Sequence, residues 1–62
     1  MCEANAYLLV DGKEELLLDR VDKIIPQGEE LYLENIFGQR KIITGRIVEM
    51  ALVDHKITLE RI

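Results

Sequence analysis

Serine and tryptophan are absent from the 62-residue chain, and cysteine, histidine, proline and phenylalanine occur once each. Without serine there can be no Ser-His-Asp triad. A single cysteine excludes an internal disulfide framework and a multi-cysteine zinc site within one chain. No GxxxxGK loop, GxGxxG fingerprint or HExxH motif is present, so the phosphate-cradling and metalloprotease chemistries those motifs carry have no footing. No stretch reaches the ~18 apolar residues that a membrane-spanning helix needs. The start, Met1-Cys2-Glu3-Ala4-Asn5, lacks the basic region and apolar core of a secretory signal. A cytoplasmic protein without membrane attachment is the expectation, in a compartment where a lone thiol stays reduced.

What is plentiful is aliphatic. Leu, Ile and Val fill 21 positions, about a third of the chain and well above disorder-type composition. Lys and Arg number 8 against 12 Asp and Glu, for a net charge of −4. Phosphate-tracking surfaces run basic, so this balance argues against nucleic acid as a partner. The length allows one domain, residues 1–62. A domain of this size buries only about 60% of its unfolded surface. Disulfides, a structural metal or oligomerisation usually make up the shortfall. With no disulfide possible and more aliphatic residues than one small core needs, a homodimer is expected.

Short β-rich runs separated by turn residues dominate the pattern. Ala4 to Val10 reads as a strand ended by Asp11-Gly12, a strong hairpin signal because glycine accepts positive φ without steric cost. Glu14 to Leu18 would return antiparallel, and Val21 to Ile25 forms a third run closed by Pro26-Gln27-Gly28. Leu31 to Asn35 follows, broken by Phe37-Gly38-Gln39. Lys41 to Thr44 and Ile47 to Val53 form a strand pair or one bent strand, with Gly45 marking a bulge or barrel corner. After the turn Asp54-His55-Lys56, the run Ile57 to Glu60 closes the chain. One stretch competes: between Lys13 and Ile25 the apolar residues fall at 16, 17, 18, 21, 24 and 25, which is helical spacing. The Asp11-Gly12 turn and the β-branched Val21, Ile24 and Ile25 favour two strands instead. Six or seven short antiparallel strands in so short a chain predict an all-β, strongly bent small barrel.

Cys2 is the candidate metal ligand. If Met1 is removed, its amine and thiol close a five-membered chelate. If Met1 stays, the terminal amine, the Cys2 amide nitrogen and the thiolate can line one side of an ion. Two such termini meeting across a dimer axis offer two sulfurs and two nitrogens, suiting Ni(II) or Cu(II) when planar and zinc when tetrahedral. The alternative is a buried, inert thiol at the start of the first strand. His55 sits in a polar turn, where a lone histidine is usually solvated. Glu3, Asp11, Glu14 and Glu15 read as surface charges, because nothing fixes two of them around a pocket. Arg40, Lys41 and Arg46 cluster within seven positions. With Tyr7, Tyr32 or Phe37 stacking on bases they would offer an RNA contact; otherwise they form a charged edge that blunts strand aggregation. No arrangement assembles a catalytic centre, so a binding protein and not an enzyme is expected.

With these residues in hand, the chain resembles the CooT family of small nickel-binding proteins. The similarity lies in Met1-Cys2-Glu3-Ala4, Asp11-Gly12, Asn35-Ile36-Phe37-Gly38 and Leu52-Val53-Asp54-His55-Lys56-Ile57, in that order and over essentially the whole length. The resemblance implies an Sm-like, SH3-like barrel, a homodimer, and a role in carbon monoxide dehydrogenase maturation. It implies that Cys2 from each of two subunits binds Ni(II) for a nickel-enzyme client, and supplies no metal role for His55. An older label for the group, predicted RNA-binding protein, rests on fold analogy.

Overall fold

Alternation of apolar and polar residues, punctuated by left-handed turns, produces five strands. They are β1 (Ala4–Val10), β2 (Lys13–Gln27), β3 (Glu30–Asn35), β4 (Arg40–Ala51) and β5 (Lys56–Arg61). The computed structural model describes residues 3–61. Each strand pairs with the next in antiparallel fashion. The ring is closed by β1 and β5, which run parallel with Asn5 opposite Lys56 and Leu9 opposite Glu60. The all-β barrel expected from the sequence is therefore present.

Its strand count is five, not six or seven, and not every pair is antiparallel. The runs Glu14–Leu18 and Val21–Ile25 are two halves of β2, and the runs on either side of Gly45 are two halves of β4, which ends at Ala51 and leaves Leu52 and Val53 to the turn. In β2 the halves are joined by a bulge, where β1 moves from Ala4 to Ala6 while β2 moves from Val21 to Leu18. Arg20, inside that bulge, has φ of 49°. Its amide donates to the Asn5 side-chain oxygen (3.1 Å) and its carbonyl accepts from Ile36 N–H (3.0 Å). An extra residue, Asp22, makes a second irregularity between Val21 and Lys23. Bulges of this kind bend a strand sharply without ending it, which lets β2 pair with β1 through one half and β3 through the other.

Gly45 marks the matching corner in β4. Thr44 is the last residue paired with β3, and Gly45 the first paired with β5. A Cβ at Gly45 would run into the Glu60 carbonyl oxygen, so the close strand approach requires glycine. The local register shift in β4 lies beyond it, between Ile47 and Glu49. At the first hairpin, Asp11 and Gly12 both have positive φ, 51° and 79°, as a two-residue loop joining twisted strands demands.

Inside the ring, Ala6, Leu8, Leu18, Val21, Leu31, Leu33, Ile43, Ile57 and Leu59 form the buried core, with Ala4, Val10, Leu17, Ile24 and Ile47 packed against it. Not all the aliphatic side chains fit there. Leu16, Phe37, Ile42, Met50, Leu52 and Val53 stand exposed on the outside.

Candidate functional site

Glu3 and Asn5 are held by the turn between β4 and β5. His55 occupies the left-handed region there, with φ of 53°, a conformation that asparagine, aspartate and histidine adopt more readily than other non-glycine residues. Its amide approaches the Leu52 carbonyl (3.3 Å), and its own carbonyl accepts the Asn5 N–H at 2.8 Å. On the side-chain side, Nδ1 lies 3.1 Å from the Glu3 carbonyl oxygen. A carbonyl can only accept, so Nδ1 carries the proton and donates. In the neutral ring this leaves Nε2 with a free lone pair. Cys2 itself lies outside the described residues; Glu3 is its immediate neighbour in the chain.

Beside this clamp opens a cleft of about 490 Å³, lined by Ala4, Val21, Ile24, Met50, Leu52 and Ile57 together with Glu3 and His55. Its lining is mostly apolar. Next to it in sequence, Val53 is the most exposed of the large apolar residues, at 93%. The sequence reading named the thiol and the turn histidine without placing either against Glu3. It did not foresee that the parallel closure brings the turn against Glu3, nor that an apolar cleft lies there. The apolar pair Leu52-Val53, read from the sequence as the end of a strand, lies in the turn instead.

The other candidates are spread over the barrel. Asp11 sits exposed in the first hairpin and Glu15 is exposed on β2. Glu14 accepts from Lys56 Nζ (2.6 Å) and from the Thr58 hydroxyl (3.3 Å). The Lys56 hydrogen bond, aided by its charge and by Thr58, holds the Glu14 carboxyl below its ordinary pKa against the cost of desolvation. The same contact, with neighbouring negative charge, holds the Lys56 ammonium above its ordinary value. Glu14 is engaged by Lys56 and Thr58 while Asp11 and Glu15 stand exposed, so these three acids do not face one another as a catalytic pair would.

The basic cluster is likewise engaged. Arg46 makes two contacts to Glu60 Oε1, at 2.9 and 3.1 Å, and Arg40 lies 3.6 Å from Glu34. Tyr32 donates its hydroxyl to Glu34, Arg20 lies over the Phe37 ring, and Lys56 lies over the Tyr7 ring. Two of the three cations and all three aromatic rings therefore already have partners within the fold. Among the described residues no group of three or more His, Cys, Asp or Glu is arranged to hold a metal ion. No helix of the structure is long and apolar enough to cross a membrane.

Comparison with known proteins adds three findings. A family model described as CO dehydrogenase accessory protein CooT matches residues 1–60. A crystal structure described as CooT from Carboxydothermus hydrogenoformans is 59% identical, covers 98% of each chain and superposes with a TM-score of 0.92. An uncharacterized protein of Archaeoglobus fulgidus is 42% identical over 43 residues, 69% of this chain and 96% of that protein.

Proposed function

Because the chain belongs to the CooT family of CO dehydrogenase accessory proteins, we propose that it is a homodimeric nickel carrier supporting maturation of that nickel enzyme. One Ni(II) is held between the Cys2 thiolates of two subunits and passed to the client. Its role is accessory and not catalytic, exercised in the cytoplasm by one small domain per subunit. The observation that carries this reading is the family match over residues 1–60, which takes in Cys2.

Chemistry supports it. Thiolate sulfur with amine or amide nitrogen is a donor set that suits square-planar Ni(II). A single thiol per chain needs a partner chain to make a closed site, and Glu3, next to Cys2 in sequence, lines an apolar cleft with Met50, Leu52 and Val53 exposed nearby. Apolar surface left outside a small core is what a second subunit would cover. The alternative of an RNA-binding module draws no support from the surface, since Arg40 and Arg46 are paired with carboxylates and the net charge is −4.

Nickel titration followed by ultraviolet-visible spectroscopy tests the reading. Thiolate-to-nickel charge-transfer bands should saturate at one metal per two chains. Cys2→Ser should lose tight binding while keeping the barrel. Each thiol must shed its proton to bind, so affinity should fall about tenfold per thiol for each pH unit below the thiol pKa. Unchanged tight affinity in Cys2→Ser defeats the reading.

A further inference from the structure

Resting on the metal reading of Cys2, the geometry points to a further role: we propose that His55 is a positioning residue of the nickel site. It fixes the backbone adjoining Cys2 so that the thiol and nearby nitrogen donors are presented in one arrangement. Two anchors do this. The imidazole Nδ1–H holds the Glu3 carbonyl at 3.1 Å, and the His55 carbonyl holds the Asn5 N–H at 2.8 Å. Together they bracket Ala4 and grip the chain immediately after Cys2.

The imidazole contact is not needed to close the barrel. Strand β1 begins at Ala4, and its parallel ladder with β5 starts at the Asn5–Lys56 pair. Glu3 lies outside both. The side-chain bond therefore extends order one residue beyond the barrel's edge, in the direction of Cys2. Nor does the turn itself call for histidine. With φ of 53° the position favours glycine sterically, yet glycine could not reach Glu3. A group that fixes the backbone beside a ligand acts like the outer-shell hydrogen bonds of metal sites, whose removal typically weakens binding by about 10- to 100-fold.

The test compares Ni(II) affinity and charge-transfer bands of the full-length protein with His55→Asn and His55→Gly. Both replacements tolerate the left-handed conformation. Asparagine keeps a side-chain N–H donor close to the place of Nδ1 but no ring nitrogen; glycine keeps neither. His55→Asn should retain the bands and near-normal affinity, and His55→Gly should bind about 10- to 100-fold more weakly. If glycine binds as tightly as wild type, the inference fails. If asparagine is as weak as glycine, His55 is itself a ligand through Nε2 and the positioning role is overturned. Should the glycine protein lose its circular-dichroism signature, His55→Asp takes its place, offering the Glu3 carbonyl an acceptor and not a donor. Cys2→Ser is titrated alongside. Loss of nickel binding there, with every His55 variant matching wild type, removes this inference alone; no nickel binding by wild type removes the metal reading and this inference with it.

Discussion

Asn35 is 1% exposed at the end of β3, and its amide organises the turn that follows. Oδ1 accepts from the Phe37 and Gln39 amides at 3.1 and 2.8 Å, while Nδ2 donates to the Gln39 side chain at 2.7 Å. Alanine at this position would leave two main-chain donors without their acceptor and a gap in the barrel end. Asn35→Ala should therefore cost about 2–3 kcal/mol of stability, read from the urea midpoint. A change within the roughly ±0.5 kcal/mol of ordinary surface substitutions would show that water replaces the amide. Sequence reading saw the Phe37-Gly38-Gln39 break but not this role. An asparagine at a strand end signals a turn, and only the inward alternation of Leu31, Leu33 and Asn35 shows that its side chain faces the core. Gly45 was more legible, because an isolated glycine in an apolar strand pattern has few uses besides a bulge or a corner.

At the scale of strands, β2 shows why its pattern imitates a helix. An ideal strand turns every second residue inward. In β2, Leu18 and Val21 are buried in the core and Leu17 and Ile24 pack against it, so that 18, 21 and 24 stand three apart. The bulge around Arg20 and the extra residue Asp22 each insert one position between inward-facing side chains. Apolar spacing thus mixes strand and bulge periods, and only the β-branched composition and the preceding Asp11-Gly12 hairpin favoured the strand. The parallel β1–β5 closure had no local signal at all, because its partners are some fifty residues apart in sequence. That is also why the contact between His55 and Glu3 had no signal in the sequence.

The same closure carries a pH-dependent contact. Glu14 on β2 reaches Lys56 and Thr58 on β5. Hydrogen bonding to Lys56 depresses the Glu14 carboxyl, and hydrogen bonding from Tyr32 depresses Glu34 on β3. A depressed folded-state value means that the charged form favours the fold. Both contributions are complete above the ordinary carboxylate range and are lost as pH falls from 4.5 through the lowered values. Glu14→Gln should make the loss of stability below that range shallower, with little change near neutrality since exposed pairs contribute little. Urea midpoints collected between pH 3 and 7 check this. An acid limb as steep in the variant as in wild type would remove Glu14 from the account. Tyr32, raised by the same Glu34 contact, works in the opposite sense: its contribution is present below its ordinary pKa and fades as pH rises through the raised one.

As a whole molecule, the protein is a closed barrel with part of its aliphatic content on the outside and Glu3 clamped beside an apolar cleft. The barrel class was legible from turn chemistry and β-rich runs; pairing of two such barrels was inferred from size, and the strands alone do not display it. The net charge is −4, and Arg40 and Arg46 are each paired with a carboxylate. Family membership and a lone thiol at position 2 converge only in the proposal of a shared metal site. Native mass spectrometry of the nickel-loaded protein tests that convergence most directly, since it weighs subunits and metal in one particle. The dominant species should contain two chains and one nickel, and Cys2→Ser should yield particles free of nickel. A single chain carrying its own nickel, or a Cys2→Ser dimer that still holds the ion, would contradict the account.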